Sequence, residues 1–224
     1  LVFVGQTDRG RAIVYALNGH QPTRISDAAV EEALKTADDL GQLVMWAYQV
    51  AGDEFVGLSA PGMETTWVYD FATKTWHERA ELVVGAYAPF RADTVTFFDD
   101  RHWVTAGNVD YVFDNDVYTL AGDILARERC WPHLVSPSLE PINFRSLELA
   151  CTTGSLTSGN VTLEISNDGG YVFNSPLLRS LGAIGQRMQR VRWNFLGSSR
   201  DRVFRLKCSD PVPWTIHKAT LDAS

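Results

Sequence analysis

The chain has 224 residues, 45% of them apolar and 21% charged, and a formal net charge of −7. A chain this long buries about 70% of its unfolded surface without a disulfide or metal staple, and its acidic balance excludes a protein that sheathes DNA by neutralising phosphates. No run of about eighteen apolar residues occurs, which excludes a membrane-spanning helix, and three cysteines without CxxC spacing (Cys130, Cys151, Cys208) exclude a disulfide framework or zinc site and are expected as free buried thiols.

The chain opens at Leu1 on "LVFVG", already strand-like, and is expected to be part of a longer protein. Its seven Trp, seven Tyr and eleven Phe suit strands better than helices. The one clear helix signal is 27–40, "DAAVEEALKTADDL". Ser26 is placed to cap it, and Asp27, Glu31 and Glu32 favour its positive end. Ala29, Val30, Ala33, Leu34 and Ala37 form an apolar stripe, and Gly41 is expected to end it.

A loose repeat surrounds this helix. Residues 2–25, 54–79 and 102–120 each read as an aromatic followed by Val, a small-residue turn, a Val/Tyr/Phe strand, a polar turn and another strand. The units start at Phe3, Phe55 and Trp103, 52 and 48 residues apart, close to the ~40 to 50 residue period of four-stranded propeller blades. The expected fold is all-β: propeller-like blades over 1–131 with one inserted helix. A Pro-rich linker follows at 132–143, "PHLVSPSLEPIN". A β-rich region, 144–224, then either closes the propeller or forms a small β-sandwich, with strand signals at 144–151, 161–166, 188–196 and 202–209 and in "WTIHKATLD".

Few residues promise chemistry. Asp110, Asp114 and Asp116 crowd one hairpin, but the Gly and distal Glu of a calcium loop are missing. The five histidines are scattered, and neither an HExxH pair nor a GxSxG elbow occurs. No catalytic, cofactor-binding or metal-binding set is assigned, and the chain is read as a non-enzyme. "SNDGGYVF", 166–173, resembles the Asp-box turn of sialidases and other propellers. There Ser166, Asp168, Gly169 and Gly170 would tighten a hairpin, because Asp can bond local N–H groups and Gly accepts positive φ, while the aromatic plugs the core.

The densest charge lies near the end. Arg187, Arg190, Arg192, Arg200, Arg202, Arg205 and Lys207 fall in a stretch that reads as a β-hairpin turning at Gly-Ser-Ser-Arg-Asp. Val191, Trp193 and Phe195 would face the core on one strand, and Phe204, Leu206 and Cys208 on the other. Arg190, Arg192, Arg200, Arg202 and Arg205 are the candidate protein interface, since Arg is enriched at such contacts. A solvated sheet face is the alternative. Direct DNA contact is the weakest reading, because no aromatic platform interleaves.

Five blocks occur in order: "HQPTRISDAAVEEAL", "TTWVYDFATKTWHER", "ISNDGGYVF", "SLGAIGQRMQRVRW" and "LGSSRDRVFRLKCSDPV". Together they resemble the DNA-stabilising tail-hub (tail accessory, head-completion) family of short-tailed, tailspike-bearing bacteriophages, over roughly residues 1–221. Residues 81–135 carry none of the blocks. The resemblance implies a structural virion protein, made in the bacterial host cytoplasm and built into the phage tail. It implies a largely propeller fold and a hexameric ring below the portal and its adaptor ring. It further implies contacts to a tail needle or plug and to tailspikes, with viral DNA passing through or plugged and no sequence-specific nucleic-acid binding. No cofactor and no membrane span are implied. The rival reading is a glycan-binding or glycan-hydrolysing β-propeller, with Trp67, Trp76 and Trp103 facing sugar.

Overall fold

The computed structural model describes residues 1–7, 10–136, 138, 140–155 and 157–224. They form two compact units, Leu1–Asp114 and Asn115–Ser224. No helix among them is long and apolar enough to cross a membrane.

The first unit is built from three antiparallel up-and-down meanders. The first holds β1 (Val2–Gln6), β2 (Ala12–Asn18) and β3 (Gln21–Arg24). The second holds β4 (Val44–Val50), β5 (Asp53–Ser59), β6 (Thr66–Asp70), β7 (Thr75–Val83) and β8 (Ala86–Pro89). The third holds β9 (Thr94–Phe98), β10 (Arg101–Ala106) and β11 (Val109–Val112). The third therefore starts earlier than the repeat predicts. Its first strand is "TVTFF", turned into β10 through Asp99 and Asp100, both with positive φ (51° and 58°), as tight hairpin turns require.

The single helix, α1 (Ala28–Lys35), sits between the first two meanders in sequence. Its N-cap is Asp27, whose carboxylate accepts from Val30 N–H at 3.0 Å, not Ser26. Ser26 is buried and does other work: its Oγ accepts from Val14 N–H at 3.1 Å and donates to Glu31 at 2.8 Å, tying helix to β2. The helix ends at Lys35, well short of Gly41. Thr36 caps it by donating Oγ1–H to Ala33 O, and Asp38 and Asp39 beyond it would oppose the negative end of the dipole. Leu40–Gln42 form a separate 3-10 turn capped by Asp39. The helix stripe delivers Val30 and Leu34 into a core with Val14, Leu58, Ala60 and Met63. A second, aromatic layer holds Trp46, Tyr48, Phe90 and Phe113.

The second unit contains β12 (Thr119–Leu120), β13 (Asp123–Ile124), β14 (Arg127–Cys130), β15 (Leu134–Val135), β16 (Ile142–Cys151), β17 (Asn160–Ser166), β18 (Leu177–Ser180), β19 (Val191–Ser199), β20 (Asp201–Cys208) and β21 (Ile216–Ala223). β12 pairs with β13. The rest form two sheets: β14-β20-β17-β18, with β15 also on β20, and β19-β16-β21. Alternate residues of both sheets share one core, among them Phe144, Leu163, Trp193, Phe204 and Leu206, so this unit is a β-sandwich and does not close the blades.

Two boundary expectations need correction. Residues 115–131 belong to the second unit, not to the blades, because Arg127–Cys130 pair with Cys208–Arg205. The segment 132–143 is not a free linker: Leu134 and Val135 pair with Arg202 and Asp201, and Ile142 opens β16. Pro137 and Leu139 of that segment lie outside the described residues. Proline spacing suppressed the strand signal there, although two-residue pairing tolerates neighbouring prolines at a sheet edge.

Candidate interaction surface

The arginine stretch is not a hairpin. β19 and β20 never pair: β19 lies on β16, and β20 lies between β17 and the β14/β15 edge. The chain passes from one sheet to the other at Ser199–Asp201, where Ser199 Oγ donates to Asp201 O at 2.7 Å. The two rows of cations therefore belong to different sheets.

Immediately before β19, Arg190 makes a bidentate bond to Glu148 of β16 at 2.6 and 2.8 Å. This charge-assisted fork holds the Glu148 carboxyl below its usual range, the Arg190 hydrogen bond being the main cause. Arg192 donates to Ser146 Oγ at 2.8 Å. Both sit on the outer face of the sheet, with Arg190 still two-thirds exposed (66%). Arg200, at the crossover, is exposed and has no ion pair among the described residues.

On β20 the arginines are structural. Arg202 is buried at 2% exposure. It donates to Asn167 Oδ1 at 2.9 Å and Leu196 O at 2.6 Å, and lies over the Phe144 ring at 4.5 Å. Burial lowers its guanidinium pKa. It cannot be part of an open interface: it shares the inward face of β20 with Phe204, Leu206 and Cys208, where the opposite sheet closes over it through Phe144 and Leu196 O. Arg205 donates to Glu164 at 2.7 Å and stacks 3.6 Å from the centre of the Phe173 ring. Lys207 bridges Glu128 and Glu164.

Phe195 departs furthest from the sequence reading. It was expected in the core and is 97% exposed. The cause is a β-bulge: Asn194 pairs with Ser146 and Gly197 with Phe144, so β19 uses one more residue than β16 over this span. Phe195 takes φ +59° within the bulge, a left-handed conformation unusual for a bulky side chain. No signal in a single sequence marks the bulge. A fully exposed aromatic on a strained backbone, with Arg192 on the same strand and Arg190 just before it, has the composition of an interaction anchor.

The 166–173 turn is held by its own side chains. Ser166 Oγ donates to Asp168 at 2.6 Å and accepts from Gly170 N–H at 2.9 Å. Asp168 accepts from Val172 N–H at 3.0 Å. The Ser166 hydroxyl, then the Val172 amide, depress the Asp168 pKa. Gly169 and Gly170 take φ +79° and +92°. The aromatic Phe173 packs under Arg205 instead of plugging the core.

Other sequence candidates resolve into packing. Trp76 Nε1 donates to Ile25 O at 2.7 Å, Trp67 packs beside it on the first unit's core, and Trp103 Nε1 donates to Phe98 O. Asp110 accepts from Thr105 Oγ1 at 2.7 Å. His102 Nε2 accepts from Gln49 N–H, and His133 meets Asp201 at 3.2 Å. Among the described residues, no group of three or more His, Cys, Asp or Glu is placed to hold a metal. The thiols are free, but only Cys208 is buried; Cys151 is half-buried and Cys130 exposed.

Comparisons with known proteins agree with this division. Residues 1–118 match the family model described as bacteriophage P22 Gp10, beta-propeller, and residues 128–224 match the one described as bacteriophage P22 Gp10, beta-sandwich. The match runs through residues 81–118, which carry none of the five blocks. No curated protein matches. Among solved structures, an exo-beta-1,3-galactanase from Phanerochaete chrysosporium is 10% identical over 99% of this chain and 68% of that one, at a TM-score of 0.25. A glycoside hydrolase is 11% identical over 98% and 69%, at 0.23. At such scores neither likeness carries an argument for activity. A propeller match over the first unit and a sandwich match over the second place this chain in the bacteriophage P22 Gp10 family of phage DNA-stabilisation proteins.

Proposed function

We propose that this chain is a non-enzymatic component of a tail hub, assembled as a sixfold ring of copies below the portal and adaptor ring. The ring helps retain packaged DNA, holds the tail needle or plug, and offers docking surface to tailspikes. The tandem family match supports this reading. The net charge of −7 suits a channel that DNA traverses without sticking. Within the ring or against the adaptor, the contact is made by Phe195, with Arg192 of the same strand, Arg190 just before it and Arg200 at the crossover. Arg202 and Arg205 keep the underlying sandwich in shape. The glycan reading loses its sugar platform, since Trp67, Trp76 and Trp103 are engaged in packing.

Immunogold labelling of intact phage particles, with antibody raised against this chain, tests the proposal. Gold confined to the tail vertex is the expected result. Unlabelled virions, with antigen abundant in infected-cell lysate but absent from purified particles, overturn it.

A further inference from the structure

The open side of the sandwich carries a feature that the tail-hub reading does not use. β14 ends one sheet and β21 ends the other; each has a single pairing partner among the described residues. The two edges converge on a groove of about 570 Å³ lined by Arg127, Arg129, Trp131, Trp214, His217 and Lys218, among others. Its volume lies in the range of ligand-binding clefts.

The lining is cationic and aromatic in a chain that is acidic overall. Arg129, His217 and Lys218 are exposed and have no ion pair among the described residues. Arg127 is used internally: it donates to Val212 O and Asp210 O at 2.7 Å and faces the Tyr118 and Trp214 rings. It fixes the groove floor. Arg127 Nε and Trp214 Nε1 are buried without an acceptor among the described residues. The carboxylate of Glu128 is drawn away to Lys207, so no acid neutralises the groove from β14.

Free strand edges normally invite indiscriminate pairing, and charges pointing inward from an edge suppress it. Here cations from both edges point into one groove. They repel basic or second-copy strands of the same edge and attract acidic ones. The edges offer a row of unpaired backbone donors and acceptors, which an extended polypeptide satisfies and a saccharide or nucleic acid does not. We infer that this groove docks an acidic extended segment of a partner protein, added as a strand beside β14 or β21 with its carboxylates on Arg129, Lys218 and His217.

The test uses the whole chain and a fluorescent synthetic peptide of about eight alternating Glu and Val residues, a typical strand length, read by anisotropy at low salt. Binding is expected, at least about tenfold weaker in the Arg129→Glu/Lys218→Glu double variant and retained in Arg129→Lys/Lys218→Arg. Arg101→Glu, an exposed cation of β10 in the first unit, leaves it unchanged. The same peptide N-methylated on alternate backbone amides loses binding if strand pairing is real. The inference is overturned if the Glu-Val peptide does not bind, or binds the double variant equally well. It is also overturned if N-methylation has no effect, or if a polyuronate oligosaccharide or oligo-dT binds this groove more tightly.

Discussion

The Arg202 guanidinium lies 4.5 Å from the centre of the Phe144 ring, sandwiched inside the C-terminal unit at 2% exposure. One side chain from β20 thus touches β16 through the ring and β19 through Leu196 O, and reaches Asn167 beyond β17. It joins the two sheets at the point where the chain crosses between them. Burying a guanidinium is tolerable only with its hydrogen bonds made. Replacing it by Glu places an unpaired acid against Phe144 and leaves Leu196 O without its donor. Arg202→Glu is expected to destabilise the sandwich by about 3 to 5 kcal/mol, measured by urea denaturation of the isolated protein. Arg200→Glu, two residues away but exposed, is expected to leave the midpoint unchanged. Equal stability of the two variants would remove the structural role assigned to Arg202.

In the first unit, the Trp46 ring lies flat over Gly57 of the neighbouring strand, where a Cβ would sit 2.4 Å from the ring. Trp46 is buried at 4% and also meets Tyr48, Phe90 and Phe113. It has little room to move. Gly57→Ala is expected to cost about 1 to 3 kcal/mol by overpacking and to change the near-ultraviolet circular dichroism of the aromatic layer. An unshifted melting curve for this variant would mean that Trp46 relocates freely.

The Ser166–Asp168 turn predicts a pH dependence. The Asp168 carboxyl is held below its ordinary value of 3.8, first by the Ser166 hydroxyl and then by the Val172 amide. A carboxyl with a depressed folded-state pKa contributes stability that is complete above the unfolded-state value. That contribution is lost as pH falls through the folded-state value. The stability of the wild type should therefore decline more steeply with acidification below about pH 4 than that of Asp168→Asn, which lacks the titrating group. Melting temperatures of both proteins from pH 6 to pH 2.5 provide the check; parallel curves would show that the turn does not couple to the titration.

The meanders were legible in the sequence because Val, Tyr and Phe alternate between short polar turns, and that signal is local. The 166–173 turn was legible because its hydrogen bonds span only four residues. The arginine stretch misled because a hairpin and a sheet-to-sheet crossover share one pattern. Both need two alternating strands and a polar turn, and only the long-range partners β16 and β17 distinguish them. The helix end was overestimated because Ala37 continues the apolar period beyond Thr36, while Asp38 N–H bonds to Pro61 O, a partner remote in sequence. The groove between β14 and β21 had no sequence signal, since Arg129 and Lys218 are 89 residues apart.

Phe195 allows a prediction in which stability and function move in opposite directions. Its side chain is 97% exposed and its backbone sits at φ +59°. A left-handed conformation costs a non-glycine residue about 1 kcal/mol, and an exposed ring returns little by burial. Phe195→Gly removes the strain without removing a core contact, so the isolated protein is expected to be as stable as the wild type or about 1 kcal/mol more stable. If the residue anchors a subunit or adaptor contact, the same substitution removes the largest apolar side chain of that contact, and anchors of this type carry about 2 kcal/mol or more. Phage carrying Phe195→Gly should then yield particles with reduced incorporation of this protein, despite its normal folding. Thermal denaturation of the purified chain and quantitative blotting of purified virions, done in parallel, separate the effects. A variant that is stabilised and incorporated normally would show that the bulge relieves a constraint of the sheet alone. A variant that is destabilised would show that Phe195 packs against its own chain in solution.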